Sequence, residues 1–238
     1  MSARSTIRKV VFLGLLVFSA VFFFSFCGAH AQTASSPKFL LTWKASNSYI
    51  PSFYEGKALP SSGGTKITAS LELISNGKLV NLSNQNIYWY EDEILVGGGA
   101  GVQQVTFTPF GTPPSTLVLS VQLPQYSGGY LTHTVNIPFV TPLAVIDAPY
   151  PNQEFSTNLL TLQGLPFFFN ATSTNNISFT WSVNGQTGAN AENPQVAEIS
   201  LPPGTPGGTN FGVSLSISNF QGATVANTNQ EFTFQNQL

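Results

Sequence analysis

From residue 36 onward, apolar and polar residues alternate in short runs, and Gly, Pro, Asn and Ser punctuate them. Helical periodicity is almost absent, and this spacing predicts an all-β sandwich. In KITASLELI, residues 66–74, Ile67, Ala69, Leu71 and Leu73 share one face while Thr68, Ser70 and Glu72 share the other. Asn76-Gly77 then supplies a hairpin turn signal. In NIYWY, Ile87 and Trp89 lie together with Tyr88 and Tyr90 opposite, and further strands are predicted over residues 105–108, 116–123 and 131–140. After Pro142 the pattern restarts with LAVI and then ISFTWSV, in which Ile177, Phe179, Trp181 and Val183 point one way. Asn184-Gly185 predicts a type I′ turn, whose two central residues need positive φ. Runs over residues 197–201, 211–219 and 230–234 complete the series.

The two halves share an order of landmarks. In each, a tryptophan strand leads to a glycine-bearing loop, a short strand, a Gly-Thr-Pro turn, a longer alternating strand and a closing strand. Trp89 and Trp181 are 92 residues apart, and Gly111 and Gly204 are 93 apart. Such register argues for duplication of a unit of about a hundred residues. At YWYEDEI and FTWSVNG the chain resembles the immunoglobulin-like and PKD-like β-sandwiches of bacterial surface and secreted proteins. It lacks the paired cysteines of the antibody type and the Asp-x-Gly-Asp-Gly signature common in the PKD type. The resemblance implies a buried Trp89 and a buried Trp181 in equivalent strands, and modules that act as spacers, adhesive units or binding platforms without catalysis. The expected organisation is an export segment over residues 1–31, a first sandwich over 36–140 and a second over 143–238.

The N-terminus changes the picture of compartment. Arg4, Arg8 and Lys9 precede an unbroken apolar run, residues 10–26, and Ala29-His30-Ala31 follows as a small-x-small cleavage signature. This reads as a secretory signal peptide, with an uncleaved N-terminal anchor as the alternative. Either version places residues 32 onward outside the cytoplasm, because the cations lie before the run. Phe26 before Cys27 is a poor lipidation box. Cleavage after Ala31 leaves 207 residues without a cysteine, held together by core packing alone.

Charge excludes some partners. Beyond residue 31 there are five lysines against ten acids, and no lysine or arginine follows Lys78. Nucleic-acid binding needs cations to displace counterions, so that class is set aside, and contact with a membrane is expected only through an uncleaved N-terminal segment.

Candidate chemistry is sparse. His133 is the only histidine beyond residue 31, and its parity with Leu131, Val135 and Ile137 makes it a strand residue packed at the core edge. Glu91, Asp92 and Glu93 crowd a hairpin tip, the oxygen-rich pattern that calcium takes, although calcium needs six to eight oxygens. The solvated-turn reading, in which the charge blocks edge pairing, competes with it. Gly97–Gly101 lacks the lysine and helix of a phosphate loop and reads as a flexible connection. Tyr49 and Tyr54 sit in a proline-bearing loop, and Tyr88 and Tyr90 face outward if Trp89 is core. These four are the candidate ligand-binding residues, suited to a glycan or protein surface; the competing role is filling the sandwich ends and the interdomain seam. PFFFN, residues 166–170, is too aromatic to bury every ring on one strand face. Asn81, Asn170 and Asn176 head Asn-x-Ser/Thr sequons. No catalytic residue or cofactor is expected. The function expected is an exported or cell-surface spacer, adhesive or protein-binding unit, with a carbohydrate-binding module as the alternative.

Overall fold

The computed structural model describes residues 36–236 except 63, 128, 189–191 and 221–223. The expected export segment, with Cys27 and His30, lies outside the described residues. Among the described residues no helix is long and apolar enough to cross a membrane.

The fold is all-β, two immunoglobulin-like sandwiches in tandem. The first is built from β1 (Lys38–Ala45), β2 (Ser48–Tyr49), β3 (Ile67–Ser75), β4 (Lys78–Leu79), β5 (Asn86–Glu91), β6 (Ile94–Ala100), β7 (Gln104–Phe107), β8 (Ser115–Tyr126) and β9 (Gly129–Phe139). One sheet runs β1-β3 with β4 and β7 also on β3; the facing sheet runs β6-β5-β8-β9. The second comprises β10 (Leu143–Asp147), β11 (Glu154–Phe155), β12 (Leu159–Phe167), β13 (Phe169–Asn170), β14 (Ile177–Val183), β15 (Gln186–Gly188), β16 (Val196–Ser200), β17 (Thr209–Asn219) and β18 (Val225–Phe234). Its sheets run β10-β12-β16 and β11-β18-β17-β14-β15.

Alternation explains why these segments sit as they do. In β3, Ile67, Ala69, Leu71 and Leu73 are buried, and in β8 Leu117, Leu119, Val121 and Leu123 are buried, every second residue in each. The two sandwiches have separate apolar cores, one around Ile87, Trp89 and Leu119, the other around Leu162, Trp181 and Phe232. Removing a Leu, Ile or Val side chain from water contributes about 1.5–3 kcal/mol, so these faces fix the strand registers.

The repeat extends to single hydrogen bonds. Trp89 Nε1 donates to the Val102 carbonyl at 2.9 Å, and Trp181 Nε1 donates to the Pro194 carbonyl at 3.1 Å, each acceptor 13 residues downstream. Both tryptophans are almost fully buried, and each indole N–H has the partner that burial demands. The hairpin tips also match. Asp92 N donates to Val118 O at 3.0 Å and Asp92 Oδ1 accepts from Val118 N at 3.0 Å. In the second half Asn184 N donates to Gly212 O and Asn184 Oδ1 accepts from Gly212 N, both at 2.8 Å. Each residue opens a turn with positive φ at both centres, Asp92-Glu93 (45°, 72°) and Asn184-Gly185 (48°, 79°), the type I′ geometry.

One expectation is corrected. Gly97, Gly98 and Gly99 are not a flexible loop; they belong to β6 and pair with Trp89, Tyr88 and Ile87 of β5. A Cβ on Gly98 would lie 2.5 Å from Tyr88 Cδ1 and 2.8 Å from Ile87 O, and one on Gly97 would lie 2.7 Å from Val105 Cγ2. The glycines are there for close approach of the strand to its neighbours, a role composition alone does not distinguish from flexibility.

Lys38–Leu238 forms one compact unit, and the contacts that join the two sandwiches come mainly from the segment between β1 and β3, not from the Pro142 connection. β2 pairs antiparallel with β13, Tyr49 opposite Phe169 and Ser48 opposite Asn170.

Candidate functional site

The seam takes two of the four candidate tyrosines. Tyr49 packs against the second core, and its carbonyl accepts from Phe168 N at 2.6 Å. The Tyr54 ring stands edge-on to Phe167 and Phe168, with centroids 5.6 and 5.9 Å away. Phe168 has φ 61°, a left-handed conformation that costs a bulky residue about 1–3 kcal/mol. Its surroundings hold it there: besides the Tyr49 bond, Ser61 Oγ donates to its carbonyl. The three phenylalanines divide as their number requires, Phe169 fully buried and Phe167 and Phe168 partly exposed under Tyr54.

Asn47 is the polar centre of the seam, at a position that no pattern or motif in the chain marks. Its Oδ1 accepts from Lys66 N at 2.7 Å; its Nδ2 donates to Gly64 O at 3.3 Å and to Asn170 Oδ1; its carbonyl accepts from Ala171 N at 2.9 Å. Val140 N donates to Pro60 O at 3.0 Å, and Ser61 bridges Val140 in parallel. Each such bond stabilises by about 0.5–1.5 kcal/mol, and several act at once. Beside the seam lies a cleft of about 450 Å³ lined by Asn47, Asn170, Asn176, Asn219 and the exposed ring of Phe220. A second cavity of about 330 Å³ lies along β12 near Asp147, Thr161 and Gln163.

Tyr88 and Tyr90 are placed differently. They project from β5 on the face opposite Trp89, both partly exposed. Strand pairing sets Tyr88 beside Gly98 and Gln122, and Tyr90 beside Leu95 and Ser120; Gln122 faces Thr132 and Ser120 faces Thr134. The result is an uncharged band of phenol, amide and hydroxyl groups across a four-stranded sheet, aromatic in its middle.

The acidic tip diverges. Glu91 follows the parity of Trp89 inward and is fully buried; its Oε1 accepts from Phe110 N at 2.8 Å and its Oε2 has no partner. Burial raises the Glu91 pKa above the ordinary carboxylate value; the Phe110 N–H pulls the other way, and the Asp92 charge adds to the rise. Asp92 is engaged at Val118, where its counterpart in the second sandwich is an uncharged asparagine performing the same bond. Glu93 is exposed. Among the described residues no three His, Cys, Asp or Glu side chains are grouped so as to hold a metal. His133 stacks on Phe39 of the facing sheet, centroids 5.2 Å apart and planes 12° from parallel, at the core edge where its strand parity puts it. Lys57 lies 3.3 Å above the Trp43 ring, a cation–π contact that pins the loop carrying Tyr54.

No protein-family model matches the sequence, and no curated protein matches it. Among solved structures, the fibronectin(III)-like modules of Clostridium thermocellum CbhA align over 83% of this chain and 94% of theirs, at 14% identity and a TM-score of 0.29. The C-terminal fragment of intimin, solved with the intimin-binding domain of its translocated receptor, aligns over 85% of this chain and 64% of that one, at 10% identity and 0.29. SGBP-B of a Bacteroides ovatus mixed-linkage glucan utilization locus, solved with a heptasaccharide, aligns over 84% and 48%, at 11% and 0.28. At these scores the alignments are likenesses on which no functional argument rests; the two-sheet architecture stands on the chain's own strand pairing.

Proposed function

We propose that the chain is an exported, non-enzymatic spacer and contact unit, two sandwiches locked into one stiff body that holds a binding surface at a fixed distance and angle. The observation that carries this is the seam. A tether needs one covalent connection, whereas here main-chain bonds from residues 47–49 cross to residues 168–171, and the Ser61 hydroxyl adds a bond to the Phe168 carbonyl. An interface of that kind restrains the relative motion that is otherwise the default between neighbouring domains. The expected result is a single narrow distribution of distances between the two sandwiches in solution; a broad one contradicts the reading.

A second reading is favoured by the Tyr88/Tyr90 band. Aromatic rings flanked by Gln122, Ser120, Thr132 and Thr134 suit the flat, uncharged surface of a neutral polysaccharide, by stacking and by hydrogen bonds to hydroxyls. Binding to a panel of neutral polysaccharides, lost when Tyr88→Ala and Tyr90→Ala are combined and the near-ultraviolet circular dichroism is unchanged, is the expected outcome under that reading. Absence of binding to every member of the panel removes it and leaves the same band to a protein surface.

A further inference from the structure

An exposed strand edge offers unpaired N–H and C=O groups to any other strand, and proteins blunt such edges with charge, brevity, bulges or proline. This molecule does so almost everywhere. β1 carries Lys38 and Lys44, β10 carries Asp147, β16 carries Glu198 and β18 carries Glu231. β4, β7, β11 and β15 are two to four residues long. β6 has three glycines and a register shift opposite Trp89 and Tyr90.

β9 is the exception. It is 11 residues long, GYLTHTVNIPF, and contains no Asp, Glu, Lys or Arg; Pro138 lies near one end. Among the described residues it pairs only with β8, and only Val140, just past its end, is bridged by Ser61. Its one histidine, His133, stacks on Phe39 of the facing sheet. Alternate residues therefore direct their backbone groups away from β8, where no strand among the described residues receives them.

We propose that a second copy of this chain occupies this edge, its β9 adding antiparallel about a two-fold axis through Thr134. The occupant follows from self-complementarity, which an isologous two-fold contact requires. In this register Thr134 meets Thr134, Thr132 meets Asn136 and Tyr130 meets Pro138 on the outer face. On the inner face His133 meets Val135 and Leu131 meets Ile137. On the outer face threonine meets threonine or asparagine, on the inner face Leu131 meets its aliphatic match, no like charges oppose, and the two histidines are kept apart. The sheet β6-β5-β8-β9 would continue into its copy as eight strands, with both Tyr88/Tyr90 bands on the same side.

Thr134 is exposed and outside both cores, so a lysine there leaves the single sandwich intact while setting two like charges opposite each other. The test is sedimentation equilibrium of the full exported chain over a wide concentration range. The wild type is expected to approach twice the single-chain mass. Thr134→Lys is expected to weaken association roughly fivefold or more at low salt and less at high salt. An equimolar mixture of Thr134→Lys and Thr134→Glu is expected to restore it. A single-chain mass throughout overturns the proposal, as does wild-type association by Thr134→Lys, which places the contact elsewhere.

Discussion

Glu91 and Asp92 are neighbours in sequence with opposite assignments. Asp92 at the turn repeats what Asn184 does in the other sandwich, so its charge is incidental to its bonds with Val118. Glu91 carries a carboxyl into the core, and one oxygen finds no partner there. A carboxyl whose folded pKa is raised above its unfolded value binds its proton more readily in the folded chain. Its contribution to stability is then fully present below the unfolded pKa and is lost as pH rises through the folded pKa. Glu91→Gln keeps an acceptor for the Phe110 N–H and removes the charge. It is expected to flatten the fall in the urea midpoint between mildly acidic and neutral pH. At neutral pH it should be the more stable form by on the order of 1 kcal/mol, because an unpaired buried amide costs less than an unpaired buried charge. An unchanged pH slope would remove Glu91 as its source.

At the scale of elements, β6 is where composition misleads. Gly98→Ala should drive a methyl group into the Tyr88 ring and the Ile87 carbonyl, costing about 1–3 kcal/mol as overpacking does. Gly188→Ala, at the end of β15 with nothing within 4 Å of its Cβ position, should be neutral or slightly stabilising. Equal thermal midpoints for the two variants would mean that the β6 glycines serve flexibility after all. The same contrast shows what one dimension can carry. Period-two alternation marks the inward faces of β3, β5 and β14, because burial on one face is a local constraint on side-chain order. Asn-Gly pairs marked two hairpins, since the demand for positive φ falls on two adjacent residues. The glycines of β6 answer to Tyr88 and Val105, and Asn47 answers to Asn170, 123 residues away. Constraints of that kind leave no periodic trace. β1, whose Lys38 and Lys44 guard its edge, is likewise not among the predicted strands, because its half-buried alternation is shallow.

For the whole molecule, the seam decides whether two sandwiches act as one body. Its aromatic contacts, its two-stranded β2–β13 pairing and the bonds of Asn47 and Ser61 are distributed over both partners, so motion between them requires several to break together. Distances between spin labels on opposite sandwiches test this most directly. Glu72→Cys on β3 and Glu198→Cys on β16 are exposed labelling sites, with Cys27, the one native cysteine, replaced by serine and the labelled chain diluted into unlabelled protein. A single narrow distribution is expected, broadened when Asn47→Ala and Ser61→Ala are combined. A broad distribution in the chain with its seam intact would contradict a stiff two-sandwich unit.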